Sequence, residues 1–170
     1  MLHSTEKHWF ALYTKPRSEF KAELQLNSLP IETYLPSHVV QKKWSDRKKK
    51  ITEPIFRDYI FIHADEQERL LALTQSAIVR CISFDHKPSI IPAWQIESLR
   101  KMLTEKPEVY INDKIEIGTK IIITEGPFSD VIGVVIETQE DKWLAVNVEL
   151  IHRSVLVRLP KESAYKILND

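Results

Sequence analysis

Sulfur and glycine are scarce in this chain: 170 residues include one cysteine, Cys81, and three glycines. A single thiol excludes an intramolecular disulfide and a cysteine-cluster zinc site. A lone thiol inside a strand is more often a small core residue than a nucleophile. Three glycines leave no room for a phosphate-cradling glycine loop. The histidines His3, His8, His38, His63, His86 and His152 are scattered, without metal-ligand spacing. No cofactor, no metal and no enzymatic chemistry are therefore expected. No apolar run reaches the ~18 to 20 residues that span a bilayer. Met1 to His8 lacks the apolar stretch of a signal peptide. A cytoplasmic protein with no membrane partner is expected. Net charge is also missing, with 24 Lys and Arg against 24 Asp and Glu. The balance is uneven along the chain, however. Residues 1–106 carry 17 basic and 13 acidic side chains, and residues 107–170 carry 7 and 11. That asymmetry points to two modules with different partners.

What is present centres on Glu53 to His63, Glu-Pro-Ile-Phe-Arg-Asp-Tyr-Ile-Phe-Ile-His. From Tyr59 onward β-branched and aromatic residues dominate, which predicts a strand. Alternation places Ile60 and Ile62 on one face and Tyr59 and Phe61 on the other. Both faces are apolar, so both need cover. Just upstream lies a basic run, Lys42 to Lys50. An aromatic strand beside a basic segment suits a module that holds a protein and a nucleic acid together.

The rest of the first half alternates strands and helices. His8 to Thr14 reads as a strand, and Pro16 suits the first turn of a helix over Arg17 to Leu29. Phe20, Leu24, Ala22, Leu26 and Leu29 are that helix's apolar residues. Ile31 to Val40 is extended, and Gln41 to Lys50 is a hairpin tip or a mobile loop. Asp65 to Gln75 is helical through Leu70, Leu71 and Leu73. Ile78 to Phe84 is a strand, Asp85 to Pro88 a turn, and Ala93 to Thr104 a third helix. The pattern then changes. Short strands at Lys120 to Thr124, Val131 to Thr138, Trp143 to Val148 and Ser154 to Leu159 predict a small antiparallel barrel. The expected class is α+β: a mixed α/β domain over 1–106, a linker over 107–116, and a barrel over 117–170.

These segments resemble the NusG-like transcription elongation factors along nearly the whole chain. Trp9 to Pro16, Tyr34-Leu35-Pro36 and Glu53 to Phe61 are similar to the NusG N-terminal domain. Gly118 to Phe128 followed by Gly133-Val134-Val135 is similar to a KOW domain. Arg57-Asp58-Tyr59 stands where the housekeeping form usually has Pro-Gly-Tyr. The Glu-Pro-Ile-Phe lead-in resembles RfaH, and Lys43 to Lys49 resembles the UpxY-type antiterminators of capsular polysaccharide operons. The resemblance implies a monomeric, operon-specific antitermination factor. Its first domain would dock on the clamp helices of the RNA polymerase β′ subunit, bias the polymerase toward its active state and touch the non-template DNA strand. Its KOW domain would recruit a ribosomal protein or a termination factor. The alternative class is a KOW-containing RNA-binding or ribosome-associated protein.

Residue by residue, the resemblance implies polymerase binding by Tyr13, Phe56, Tyr59 and Phe61, whose aromatic area suits interface anchors. The competing role for these rings is the domain's own core. DNA contact falls to Lys15 and Arg17 at the strand-to-helix corner, and to Lys42, Lys43, Arg47, Lys48, Lys49 and Lys50 by charge. For the lysine run, a solvated loop explains the same charges. Trp44 either stacks on a base or pins the loop to the core. Phe128, Val131 and Ile132 form the expected partner patch of the KOW domain. RfaH stores its second domain as a helical hairpin. Here Ile121 to Ile123, Val131 to Ile136 and Val155 to Val157, interrupted by Gly126, Pro127 and Gly133, predict strands instead.

Overall fold

A computed structural model describes residues 5–115 and 118–169. His3, the first half of the amino-terminal stretch read for a signal peptide, and Glu116 of the expected linker lie outside the described residues. The chain forms two compact units, Met1–Ile91 and Pro92–Asp170.

The first unit is built on a four-stranded antiparallel sheet in the order β2-β5-β1-β6, from Glu32–Tyr34, Tyr59–Ala64, His8–Thr14 and Ile78–Cys81. The register sets Phe10 opposite Ile62 and Leu12 opposite Ile60. These four side chains line one face and form a buried core with Ala22 and Leu26 of α1 (Glu19–Asn27) and Ala72 of α2 (Glu66–Leu73). Phe20 and Leu24, expected to face the core, are exposed, as are Leu70 and Leu71. The buried faces carry Ala22 and Leu26 in α1 and Ala72 in α2. A reciprocal capping box starts α2: Asp65 accepts from the Glu68 amide at 2.9 Å, and Glu68 accepts from the Asp65 amide at 3.0 Å. Between β2 and β5 the chain forms a two-stranded hairpin, β3 (Ser37–Lys43) and β4 (Lys48–Pro54). The basic run is thus the tip of an ordered hairpin, one of the two readings its composition allowed. Asp85 and His86, both with positive φ, make the tight turn of a smaller hairpin, β7 (Ser83–Phe84) and β8 (Lys87–Pro88).

The second unit holds α3 (Ala93–Thr104) and an antiparallel sheet of six strands in the order β14-β10-β11-β12-β13-β9. These are Tyr165–Ile167, Thr119–Ile123, Ile132–Glu137, Lys142–Val148, Arg153–Leu159 and Tyr110–Asp113. The segments expected to be strands, rather than a helical hairpin, are strands. Three expectations change. The sheet is open, with β14 and β9 at its two edges rather than paired into a closed barrel. Residues 110–113, placed in the linker for their few apolar side chains, pair with β13 as an edge strand. The units divide after Ile91, and α3 groups with the second unit rather than the first. Its buried polar side chains give the reason. Ser98 Oγ accepts from the Ile132 amide at 3.0 Å, and Gln95 Oε1 accepts from the Glu149 amide at 3.2 Å. Both satisfy backbone donors of the sheet region that α3 packs on. No helix among the described residues is long and apolar enough to cross a membrane.

Candidate functional site

The corner where β1 ends gathers the predicted residues of the first unit. Tyr13 and Tyr59 are directly opposite across β1 and β5. Their rings meet edge to face at 5.6 Å, and both are half-buried. On the other side of β1, Arg80 of β6 pairs with Tyr13, its guanidinium 5.6 Å from the ring. Three adjacent strands thus present Tyr59, Tyr13 and Arg80 as one strip. Lys15 and Arg17 follow directly on the end of β1, and both are exposed. The corner can therefore offer flat aromatic area and positive charge side by side.

The backbone of this corner is held from three directions. The Thr14 amide donates to the Asp58 carbonyl at 2.8 Å, and the Lys15 amide donates to the Ala77 carbonyl at 2.9 Å. The Asp58 amide donates to Glu19 Oε1 at 2.9 Å. Asp58 sits at φ 67°, in the left-handed region that favours glycine and tolerates aspartate. That geometry suits the Asp present here, and equally the Gly that the resemblance gives the housekeeping form at this position. Glu19, 7% exposed, is a residue that sequence reasoning misses. Its partner is 39 positions away, so no local pattern reveals it. Arg80 escapes sequence reasoning too. Its strand is legible from composition, but pairing with β1 is a tertiary fact.

Glu19→Ala is expected to destabilise the first unit by about 1.5–3 kcal/mol, the range for a lost hydrogen bond to a charged acceptor. Glu19→Gln keeps an oxygen acceptor and should lose less than half of that. Urea unfolding followed by the signals of the Asp58 turn measures both. A Glu19→Ala protein as stable as the parent would mean the carboxylate does not clamp the turn.

The other two aromatics are not at the surface. Phe56 is 3% exposed and Phe61 fully buried, and their rings pack edge to face at 6.0 Å. Burial favours the competing role, the domain's own core, for Phe56 and Phe61, and leaves Tyr13 and Tyr59 as the accessible rings. Phe61 shares a face with Tyr59, but it is central in its strand where Tyr59 is at the end, so its ring is enclosed.

The basic hairpin is exposed throughout residues 41–50, including Lys42, Lys43, Arg47, Lys48, Lys49 and Lys50. Lys42 pairs with Glu53, and the ammonium's hydrogen bond holds the Glu53 carboxyl below the usual range. Trp44 does not pin the arm to the core: it is 50% exposed, with the Lys49 ammonium 5.4 Å from its ring.

In the second unit the predicted patch divides. Phe128 is half-buried and lines a groove of about 550 Å³ with Ile123, Pro127, Leu159 and Pro160. Val131 is fully buried, so its place in an exposed partner patch is corrected. It begins the run Val131, Gly133, Val135 that alternation turns inward, and its carbonyl accepts from the Ile123 amide at 3.0 Å. Ile132 is half-buried beside Ser98.

The sequence pattern described as transcription termination factor nusG matches residues 7–100, more than half of the chain. The chain belongs to the NusG family. As a member it is a transcription termination/antitermination factor by family, and the family's members are transcription factors rather than enzymes. The transcription termination/antitermination protein NusG of Staphylococcus carnosus (strain TM300) is 22% identical over 176 residues, covering 95% of this chain and 96% of its own. Among solved structures, a Thermotoga maritima NusG described for its domain interaction is 20% identical, covering 91% of this chain and 93% of its own at a TM-score of 0.46. The MjSpt4:Spt5 complex, in its conformation B, is 18% identical, covering 95% and 97% at a TM-score of 0.35.

Proposed function

We propose that this NusG family member is an operon-specific elongation and antitermination factor, specialised in the manner of RfaH and the UpxY-type regulators of capsular polysaccharide operons. The Tyr13 and Tyr59 pair docks on the clamp helices of the RNA polymerase β′ subunit. Phe56 and Phe61 lie beneath the surface and support the backbone that presents Tyr59. Lys15 and Arg17 contact phosphates of the exposed non-template strand. The second unit acts as a KOW domain, whose Phe128 groove takes a segment of a ribosomal protein or a termination factor. What carries the reading is the pairing of two half-exposed tyrosines with two exposed cations at one clamped corner. Aromatic side chains supply anchor area with few rotors to freeze, and cations bind phosphate without reading sequence.

The test is binding to purified core polymerase, together with crosslinking to the non-template strand of a paused complex. The parent chain should form a complex and crosslink. Replacing Lys15 and Arg17 by Ala should lower crosslinking and reduce the salt slope by about 1.4, since each phosphate neutralised on a single strand is worth ~0.7. Crosslinking and slope at parental values would remove the corner from the DNA contact. A chain that co-sediments with ribosomes and ignores polymerase would overturn the proposal in favour of a ribosome-associated role.

A further inference from the structure

We propose that the β3–β4 hairpin is a distinct arm that grips an unpaired polynucleotide strand, with Lys43, Lys48 and Lys50 on phosphates and Trp44 stacked on a base. The inference rests on the reading above that the chain works beside nucleic acid, and its test involves no polymerase.

The register puts the charges in place. Lys43 is directly opposite Lys48, Lys42 opposite Lys49, and Gln41 opposite Lys50. Alternation puts Lys43, Lys48 and Lys50 on one face of the arm and Lys42 and Lys49 on the other. Like charges directly opposite destabilise a hairpin, and here two successive pairs do so. An isolated two-stranded hairpin is already marginal in water. Carboxylates do not relieve the repulsion on the three-lysine face: among the described residues none of these three ammonium groups has an ion-pair partner. Lys42 has Glu53, and Lys49 has the Trp44 ring. From Lys42 to Lys50 there are six cations and one acid, Asp46. A polyanion removes the repulsion that the fold leaves standing.

Trp44 selects which polyanion. The Trp44 amide donates to the Arg47 carbonyl at 2.7 Å, and the Arg47 amide donates back at 3.3 Å, closing the turn. That puts an exposed indole at the tip of the arm, on the side of Lys49, so a bound strand passes over the tip from the three-lysine face to the ring. Tip tryptophans that serve folding are covered by the body, whereas this one is open to solvent. An aromatic face among cations matches an unstacked base on a phosphate backbone, which a duplex does not present.

The full-length chain is titrated into labelled oligothymidylate and oligouridylate of about 15 nucleotides, read by fluorescence anisotropy over a range of salt. Replacing Lys43, Lys48 and Lys50 by Ser should weaken binding at least tenfold near 50 mM salt and lower the salt slope by about 2. Replacing the same three by Arg should leave both unchanged, which separates charge from folding of the arm. Trp44→Ala should cost about five- to a hundredfold with the slope intact, and Trp44→Phe should recover most of it. The deoxy and ribo strands together show which polynucleotide the arm takes. Parental affinity and slope in the triple Ser variant would overturn the proposal. So would Trp44→Ala binding like the parent, or a duplex of equal length losing as much as the single strand on that substitution. Loss of polymerase docking alone would leave these results standing.

Discussion

Tyr59→Ala is expected to weaken binding to core RNA polymerase by about 2 kcal/mol or more, roughly thirtyfold. Tyr59 is the first residue of β5, and its cross-strand partner is Tyr13. An edge-to-face contact at 5.6 Å holds both rings before any partner arrives. The Asp58 turn, clamped by Glu19 and by the Thr14 amide, fixes the backbone from which Tyr59 departs. A preorganised ring loses little entropy on docking, so most of its buried area appears as affinity. Because the ring is half-buried in the free protein, its removal should leave the fold intact. Surface binding to immobilised core polymerase, with circular dichroism as the folding control, measures this. Parental affinity in a folded Tyr59→Ala protein would rule the ring out as an anchor. Phe61→Ala is not an equivalent experiment. Its ring is fully buried, so truncation costs about 3–5 kcal/mol of stability before any interface is involved.

Gly133→Val should destabilise the second unit by about 3 kcal/mol or more, enough to leave much of it unfolded at physiological temperature. A β-carbon at Gly133 would lie 2.5 Å from the Ala145 carbonyl oxygen and 2.9 Å from Leu144 Cδ1. Both belong to β12, the neighbour of β11, so the two strands would have to separate. Leu144 and Ala145 are themselves fully buried, so there is no space for them to yield. The damage should be confined to one unit, because β11 and β12 lie wholly within the second. Amide exchange read strand by strand should show lost protection in β10 to β13 and parental protection in β1 and β5. Parental protection throughout would mean the close approach at Gly133 is not a constraint.

Much of this protein follows from local chemistry. Tyr59 to Ala64 is a strand because β-branched and aromatic residues fill it, and Asp65 with Glu68 starts a helix by reciprocal capping. The Glu-Gly-Pro-Phe turn and the β-branched runs after it form strands because glycine and proline at those positions oppose a helix. The motifs from Trp9 to Phe61 likewise carry the family in their order along the chain. Tertiary structure decided what periodicity cannot encode. Phe20 and Leu24 follow helical spacing as well as Ala22 and Leu26 do, but only the side of α1 that carries Ala22 and Leu26 lies against the sheet. Tyr59 and Phe61 share a strand face, yet one is half-open and the other sealed, because burial depends on position along the strand as well as on face. Glu19 and Asp58 are distant in sequence, so only folding brings the carboxylate to the amide it holds. The lysines of the hairpin are visible as a charge run in the sequence. Their division into two faces became visible only with the register, since a one-residue slip would redistribute every one of them.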